Sequence, residues 1–343
     1  MLHSTRDKSR QRGIFIAIAT LAICAMLTLV ALPARAFADG YQQDWMKSIS
    51  DDAKISQLTI PGTHDSACYN TCAVTKEWAE CQSWDIYDQL RNGIRALDLR
   101  YGYDDGDFGL YHGNVWPFIY TCYELYRSEW NDLTPKVLTL DGELYKLSQF
   151  LKDHPNEFII INVQRENDDS GDAVNEALNK LYEKYNVYTS RNNNTTVGEV
   201  RGRIVLGNDF MQGVDEHGPY NRYQGSVEEK VSDLHQVFDE APTTYLGDSE
   251  TITQKVIYTN LSWRAGVFSL NRGPIYYARM IQKEFFYGDR FDYGYGSRIA
   301  VGSGSYVEIG KAFGVVLYDY PTNQIIDWTI GANRWAFSTS ASS

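Results

Sequence analysis

The chain has 343 residues and a formal charge of −12 at neutral pH, which opposes partnership with nucleic acid or with an anionic surface held by charge alone. That length permits one large barrel or two smaller domains, and no internal repeat or low-complexity block marks a boundary within residues 39–343. A single catalytic domain is expected there, acting as a monomer.

The N-terminus comes first in the chain. Arg6, Lys8, Arg10 and Arg12 precede an uncharged apolar run from Gly13 to Leu32, which is followed by Pro33 and the small-residue steps Ala34-Arg35-Ala36 and Ala36-Phe37-Ala38. This order of basic, apolar and small-x-small segments predicts a secretory signal over residues 1–38 and a secreted mature chain. The apolar run is long for a signal, so an uncleaved anchor is the competing reading. Loss of residues 1–38 removes five basic residues and one acid, moving the formal charge from −12 to −16. Docking on a bilayer would then rely on apolar and aromatic side chains, of which the chain holds 25 Tyr, 14 Phe and 8 Trp. Trp84, Trp116, Phe118 and Trp263 are candidates for such a rim.

Beyond the signal, a β-branched or apolar run repeatedly ends in polar residues capable of chemistry. Leu58 to Ile60 leads to Thr63-His64-Asp65, and Ile94 to Leu99 carries Asp98 and leads to Arg100. Phe108 to Tyr111 leads to His112, Phe158 to Val163 to Gln164-Arg165-Glu166, and Ile204 to Leu206 to Asn208-Asp209. Val256 to Tyr258 leads to Asn260, and Val315 to Tyr318 to Asp319. Continuous apolar runs of this length suit strands buried on both faces, as in parallel sheets. Helical spacing predicts helices over Asp141 to Lys152, with Asp141 as cap, over Asp172 to Tyr185, and over Val227 to Phe238. Strands alternating with helices predict an α/β fold of the irregular TIM-type (β/α) barrel class, whose strand C-termini build the site.

Four cysteines follow residue 38, namely Cys68, Cys72, Cys81 and Cys122. An even number in an exported chain predicts two disulfides, with all three pairings open, and a zinc site as the rival. The acidic run Asp104-Asp105-Gly106-Asp107 lacks the spacing of a calcium loop and reads as a solvated turn.

His64 and His112 form the chemical focus. In Ile60-Pro61-Gly62-Thr63-His64-Asp65-Ser66, Pro61 and Gly62 predict a tight turn that exposes the imidazole, and His112 sits beside Gly113. Two histidines at two strand ends suit cleavage of a phosphodiester, one accepting a proton from the attacking hydroxyl and the other giving one to the leaving oxygen. Arg100 alternates with Asp98 along one strand, so Asp98 can hold the guanidinium while its remaining donors meet the phosphoryl oxygens. Asp319 suits a partner for an imidazole nitrogen.

The segments Ile60 to Ser66, Gly93 to Arg100, Tyr111-His112-Gly113 and Val316 to Tyr320 resemble the catalytic core of bacterial phosphatidylinositol-specific phospholipase C. The resemblance continues through Phe158 to Glu166, Val200 to Leu206 and Tyr258 to Ala278. It implies that His64 deprotonates the inositol 2-hydroxyl, that His112 with Asp65 protonates the diacylglycerol oxygen, that Arg100 stabilises phosphoryl charge, and that Asp319 orients His64. It also implies a phosphatidylinositol or glycosyl-phosphatidylinositol-type lipid as substrate at a membrane surface, with no metal or other cofactor, the arginine standing where eukaryotic relatives bring calcium. Asp98, Arg165 (or Gln164), Asp209 and Tyr223 are the expected substrate-binding residues. Gly207-Asn208-Asp209-Phe210 departs from the family's arginine after that strand, which puts the head group in doubt. A different polyol or glycerophosphodiester substrate, and a catalytically idle binding barrel, are the competing readings.

Overall fold

The computed structural model describes residues 42–71, 79–104, 106–115, 118–121, 123–129, 132–166, 171–207, 219–222, 224–261, 273–286, 297–302 and 305–337, with the side chains of 113–135 and 297–309 left aside. The predicted signal, Cys72, Asp105, Trp116, Cys122, Asp209, Tyr223 and Trp263 lie outside the described residues, and of Phe118 only the backbone is described. The described structure falls in one compact unit, Gln42–Ser343.

In chain order the elements are β1 (Thr59–Thr63), α1 (Ile86–Arg91), β2 (Ala96–Asp104), β3 (Asp107–Val115), β4 (Phe118–Thr121), β5 (Tyr123–Glu129), β6 (Asp132–Val137), α2 (Leu140–Asp153) and β7 (Ile159–Arg165). There follow α3 (Asp172–Lys184), α4 (Val197–Val200), β8 (Ile204–Leu206), α5 (Val227–Asp239), β9 (Thr243–Tyr245), β10 (Val256–Tyr258), α6 (Pro274–Ile281), β11 (Ser297–Gly302), β12 (Ser305–Lys311), β13 (Gly314–Tyr318) and α7 (Asn323–Gly331). Every apolar run read as a strand is one. Strands β10, β13, β1, β2, β7 and β8 pair in that order and all in parallel, the backbone of an irregular α/β barrel.

The Phe108 run behaves differently. Strand β3 returns antiparallel along the far end of β2, pairing Tyr101 with Leu110 and Asp104 with Asp107, so it is a hairpin arm and not a barrel strand. Gly106, between the two strands, has φ 93°, a backbone state that suits glycine. Strand β4 extends this arm, while β5 pairs with β6, and β9, β12 and β11 form a small separate sheet.

Alternation along the parallel strands sorts the core. Leu97, Leu99, Ile159 and Ile161 point outward and join Leu144, Leu147, Phe150 and Leu151 of α2 in one buried cluster. Each such side chain contributes about 1.5–3 kcal/mol by leaving water. Thr139, not Asp141, caps α2, its hydroxyl accepting from the Gly142 N–H at 3.2 Å; Asp141 instead lies in the first turn, where a carboxylate complements the helix dipole. Ser226 and Glu229 form a capping box that starts α5. A second cluster packs Leu234 and Phe238 of α5 against Phe285, Phe313, Val316 and Tyr318.

The N-terminal ends of the strands are locked by a buried ion pair. Arg95, just before β2, meets Glu157, just before β7, at 2.8 Å, with neither side chain exposed. The guanidinium also donates to the carbonyls of Leu90 and Ile94 at 2.8 Å, and Glu157 accepts from the Met46 N–H at 3.0 Å. With Nη2 of Arg95 donating to Gln43 O, every side-chain polar atom of the pair is bonded, at the end of the barrel away from the histidines.

Candidate active site

The same alternation places one parity of residues on the inner face. Gly62 pairs with Leu317 and Ala96 across the two neighbouring strands. A Cβ at Gly62 would lie 2.6 Å from the Leu317 side chain and 2.9 Å from that of Ala96, so glycine lets three strands approach just below His64. Counting upward in steps of two, His64 follows β1, Asp98 and Arg100 rise along β2, Asn162, Gln164 and Glu166 along β7, Tyr258 ends β10 and Asp319 follows β13. These residues meet at the strand C-termini.

Pro61 and Gly62 lie within β1 and are paired, so the expected turn there gives way to one at Asp65. Asp65 has φ 43°, the left-handed region that non-glycine residues enter at a cost. The turn is bound on all sides: the Ser66 N–H donates to Asp98 O at 2.8 Å, the Asp98 N–H donates to Ser66 Oγ at 2.8 Å, and the His64 N–H donates to Tyr318 O at 3.1 Å. His64 is buried, at 7% exposure, where the sequence pattern predicts an exposed ring. It is walled by Tyr258, edge-on at 5.9 Å, and by neighbouring strand ends.

His64 Nδ1 lies 2.9 Å from Asp319 Oδ1. His112 Nδ1 lies 2.6 Å from Asp65 Oδ2, and that same oxygen is 3.4 Å from His64 Nε2. The two rings stand edge to face with centroids 6.4 Å apart. Arg100 reaches Asp65 at 3.1 Å, Asp98 at 2.9 Å and Glu166 at 3.2 Å. Asn162 donates to the other oxygen of Asp98 at 2.8 Å, which completes that buried carboxylate.

Burial disfavours a charged ring at His64, but the Asp319 and Asp65 carboxylates outweigh it and raise its pKa well above the usual imidazole value. His112 is raised in the same way, burial being overcome chiefly by Asp65. Burial acts against ionised Asp65 as well, yet Arg100 and the two histidines hold its carboxyl well below the ordinary range. Three carboxylates keep Arg100 firmly cationic against burial.

No family model matches the chain. A 1-phosphatidylinositol phosphodiesterase from Listeria monocytogenes is 32% identical over 173 residues, which cover 48% of this chain and 48% of that protein. The protein of the same name from Staphylococcus aureus strain Newman is 28% identical over 177 residues, covering 48% of this chain and 50% of that protein. The chain thus spans about half the length of the curated relatives it matches. Among solved structures, the phosphatidylinositol-specific phospholipase C from Listeria monocytogenes aligns with a TM-score of 0.59 at 23% identity, over 85% of this chain and 99% of its own. A variant of the Staphylococcus aureus enzyme aligns with a TM-score of 0.64 at 19% identity, over 85% of this chain and 97% of its own. The chain is thus similar in sequence, over about half its length, and in fold to bacterial phosphatidylinositol-specific phospholipases C.

Within this phospholipase C-like barrel, His64, Asp65, Asp98, Arg100, His112 and Asp319 are brought together. His112 gets there from within the antiparallel arm β3 and not from a barrel strand end. Arg165 is not brought in. It pairs with Tyr101 in the parity that faces away from Asp98 and Arg100, and its side chain is exposed. Asp209 and Tyr223, expected on the inositol side, lie outside the described residues.

Several members of the site carry no local motif. Glu166 grips Arg100, Tyr258 stands over His64, and Gln82 donates to the carbonyls of His64 at 2.6 Å and Tyr318 at 3.0 Å. Cys81 places its Sγ 3.6 Å from His112 Nδ1. Glu166 was within reach of a period-two count from Asp98 and Arg100; Gln82 and Cys81 arrive by a loop whose sequence gives no register. No disulfide joins Cys68 to Cys81 in this structure, and Cys72 and Cys122 lie outside the described residues. Cys68, Cys81 and His112 present ligand atoms within 4.8 Å of one another, the one arrangement among the described residues that resembles the rival zinc reading apart from His64, Cys81 and Asp319.

Proposed function

We propose that the protein is an exported phosphatidylinositol diacylglycerol-lyase that cuts the lipid to diacylglycerol and a 1,2-cyclic inositol phosphate by acid/base catalysis between His64 and His112. The observation that carries this reading is the pair of imidazoles 6.4 Å apart, each with its Nδ1 tied to a different carboxylate. With Nδ1 bonded to Asp319, the Nε2 of His64 is left to accept the proton of the inositol 2-hydroxyl. The oxygen so freed attacks phosphorus in line and displaces the glycerol oxygen. His112, held cationic by Asp65, donates its Nε2 proton to that oxygen as it leaves. Arg100, paired with the Asp65 carboxylate that links the two rings, supplies fixed positive charge to the phosphoryl oxygens, and electrostatic help of this kind is worth roughly 10²–10³ in rate. Water then opens the cyclic phosphate with the histidines exchanging roles.

The names of the relatives support an inositol phospholipid as substrate, and work on the Staphylococcus aureus enzyme concerns its membrane binding. Surface docking would use apolar contacts, as the net charge demands. Ile275, in the first turn of α6, is 48% exposed and suits such a contact, whereas Trp84 is partly buried against the core. Export rests on the basic, apolar and small-residue order of residues 6–38 and is checked by N-terminal sequencing of protein recovered from the medium.

The direct test is release of diacylglycerol from vesicles of phosphatidylinositol, compared with phosphatidylcholine vesicles and with water-soluble glycerophosphoinositol. Turnover of the inositol lipid alone or best supports the reading. Preference for the deacylated diester moves the substrate to the soluble polyol class, and cleavage of a glycosylated inositol anchor would extend the reading to that class.

A further inference from the structure

We propose that Cys68 and Cys81 form a disulfide that locks the loop bracing both catalytic imidazoles. The backbones already meet: the N–H groups of Cys81 and Gln82 both donate to Cys68 O, at 2.9 and 3.1 Å. A direct N–H to C=O bond between two residues sets their Cα atoms at the separation of about 4.4–6.8 Å that a disulfide needs. The sulfurs converge as well, both directed at the Ala79 carbonyl, from 3.0 Å for Cys68 and 3.3 Å for Cys81. Both residues are only 1% exposed, which shields a bond formed there from external reductants.

The position of the pair gives the bond its meaning. Cys68 belongs to the turn after β1, its N–H donating to Asp65 O at 2.8 Å. Cys81 lies beside His112, and its carbonyl accepts from the Tyr320 N–H at 3.0 Å, next to Asp319. Gln82, the following residue, bonds the His64 and Tyr318 carbonyls. One covalent link would therefore fasten the loop that touches His112 to the turn that carries His64 and Asp65. A soft cation on the two sulfurs and His112 Nδ1 is the other use of this cluster, but it would have to displace Asp65 from that nitrogen, where it sits at 2.6 Å. A disulfide leaves the ion pair intact. Cys68 and Cys81 are thus positioning residues for the acid.

The step is an ordinary thiol–disulfide exchange. Cys68 and Cys81 each give up one proton and one electron, a Sγ–Sγ bond forms, and a disulfide oxidant such as oxidised glutathione is reduced to two thiols.

The full chain is equilibrated in a glutathione couple, alkylated, digested without reduction and mapped by mass spectrometry. A peptide joining Cys68 to Cys81, lighter by two hydrogens than its parts, is expected under oxidising conditions. Linkage of either to Cys72 or Cys122, alkylation of both, or a stoichiometric metal retained on them by elemental analysis would overturn the proposal. In a second arm, Cys68→Ser combined with Cys81→Ser is expected to lower Tm by about 5–10 °C. It should also move the alkaline limb of the pH–rate profile, which a purely structural brace remote from His112 would leave in place; an unmoved Tm and profile contradict the proposal. The effect on the limb rests on His112 as the acid, but the peptide map does not, so failure of either reading is separately visible. Should the double variant not fold, the map of the unaltered chain still decides.

Discussion

His64 and His112 share one carboxylate oxygen, Asp65 Oδ2, which lies 3.4 Å from Nε2 of the first and 2.6 Å from Nδ1 of the second. This contact makes the two rings inequivalent. Asp319 holds the Nδ1 of His64 and leaves its Nε2 on the side of Asp65, while Asp65 holds the Nδ1 of His112 and keeps that ring charged. Replacement of either histidine by alanine should cost about 10²–10⁴ in kcat with a circular dichroism spectrum unchanged, because each proton transfer is lost separately. Substantial turnover in either variant would end the acid/base assignment.

The carboxylates predict how activity follows pH. His64 must be neutral to act as base, and its pKa is raised, so the acidic limb of the kcat/KM profile should lie above the usual imidazole value near 6.5. His112 must be charged to act as acid, and its pKa is raised too, so the alkaline limb is also displaced upward. Asp319→Asn removes the charge that favours His64⁺ and should shift the acidic limb to lower pH. Asp65→Asn should pull the alkaline limb down while retaining a residue type tolerated at positive φ. Because the rings interact, the limbs belong to the pair. A profile of a soluble substrate analogue in both variants distinguishes these shifts, and limbs that move upward or not at all would count against the assignments.

Arg100 is held by three carboxylates and stays cationic at every accessible pH. Lysine keeps the charge but cannot span Asp65, Asp98 and Glu166 with a planar fork. Arg100→Lys should therefore lower kcat by about 10²–10³ with little change in KM. Turnover by the unaltered protein should survive a calcium chelator, and strict dependence on added calcium would transfer the role given to this guanidinium.

At the opposite end of the barrel, the Arg95–Glu157 pair is a matter of stability. Arg95→Met leaves the Glu157 carboxylate buried without its cation and should cost about 3–5 kcal/mol in a denaturant titration. The folded fraction should keep its kcat, since no atom of this pair approaches the histidines. A loss of kcat without loss of stability would show that the two ends are coupled.

How much of this was legible in the sequence follows from where information is local. The barrel strands were readable because apolar runs of β-branched residues end in Thr63-His64-Asp65, Arg100 and Asp319, and those ends converge by the rule of parallel barrels. Asp98 and Arg100 were assigned to one face by strand alternation, and the structure places them so. The same count applied to β7 selects Gln164 and Glu166, and it rejects Arg165. The family resemblance drew attention to the arginine instead. Strand direction was not readable for Phe108 to Tyr111, since antiparallel return along β2 depends on a short acidic turn and not on the run itself. Nor was the role of Cys81, whose neighbour His112 is 31 residues away in the chain. Tyr258 could be placed at a strand end but not above His64, because that requires the order of β10, β13 and β1.

The central claim is that the inositol hydroxyl, activated by His64, attacks its own phosphorus. Phosphorus NMR of phosphatidylinositol vesicles during turnover measures this outcome. A five-membered cyclic phosphodiester signal should appear first and convert slowly to an inositol monophosphate, and His64→Ala should form neither. Direct appearance of the monophosphate, with no cyclic species at any time, would mean that water is the nucleophile and that the histidine pair has been given the wrong chemistry.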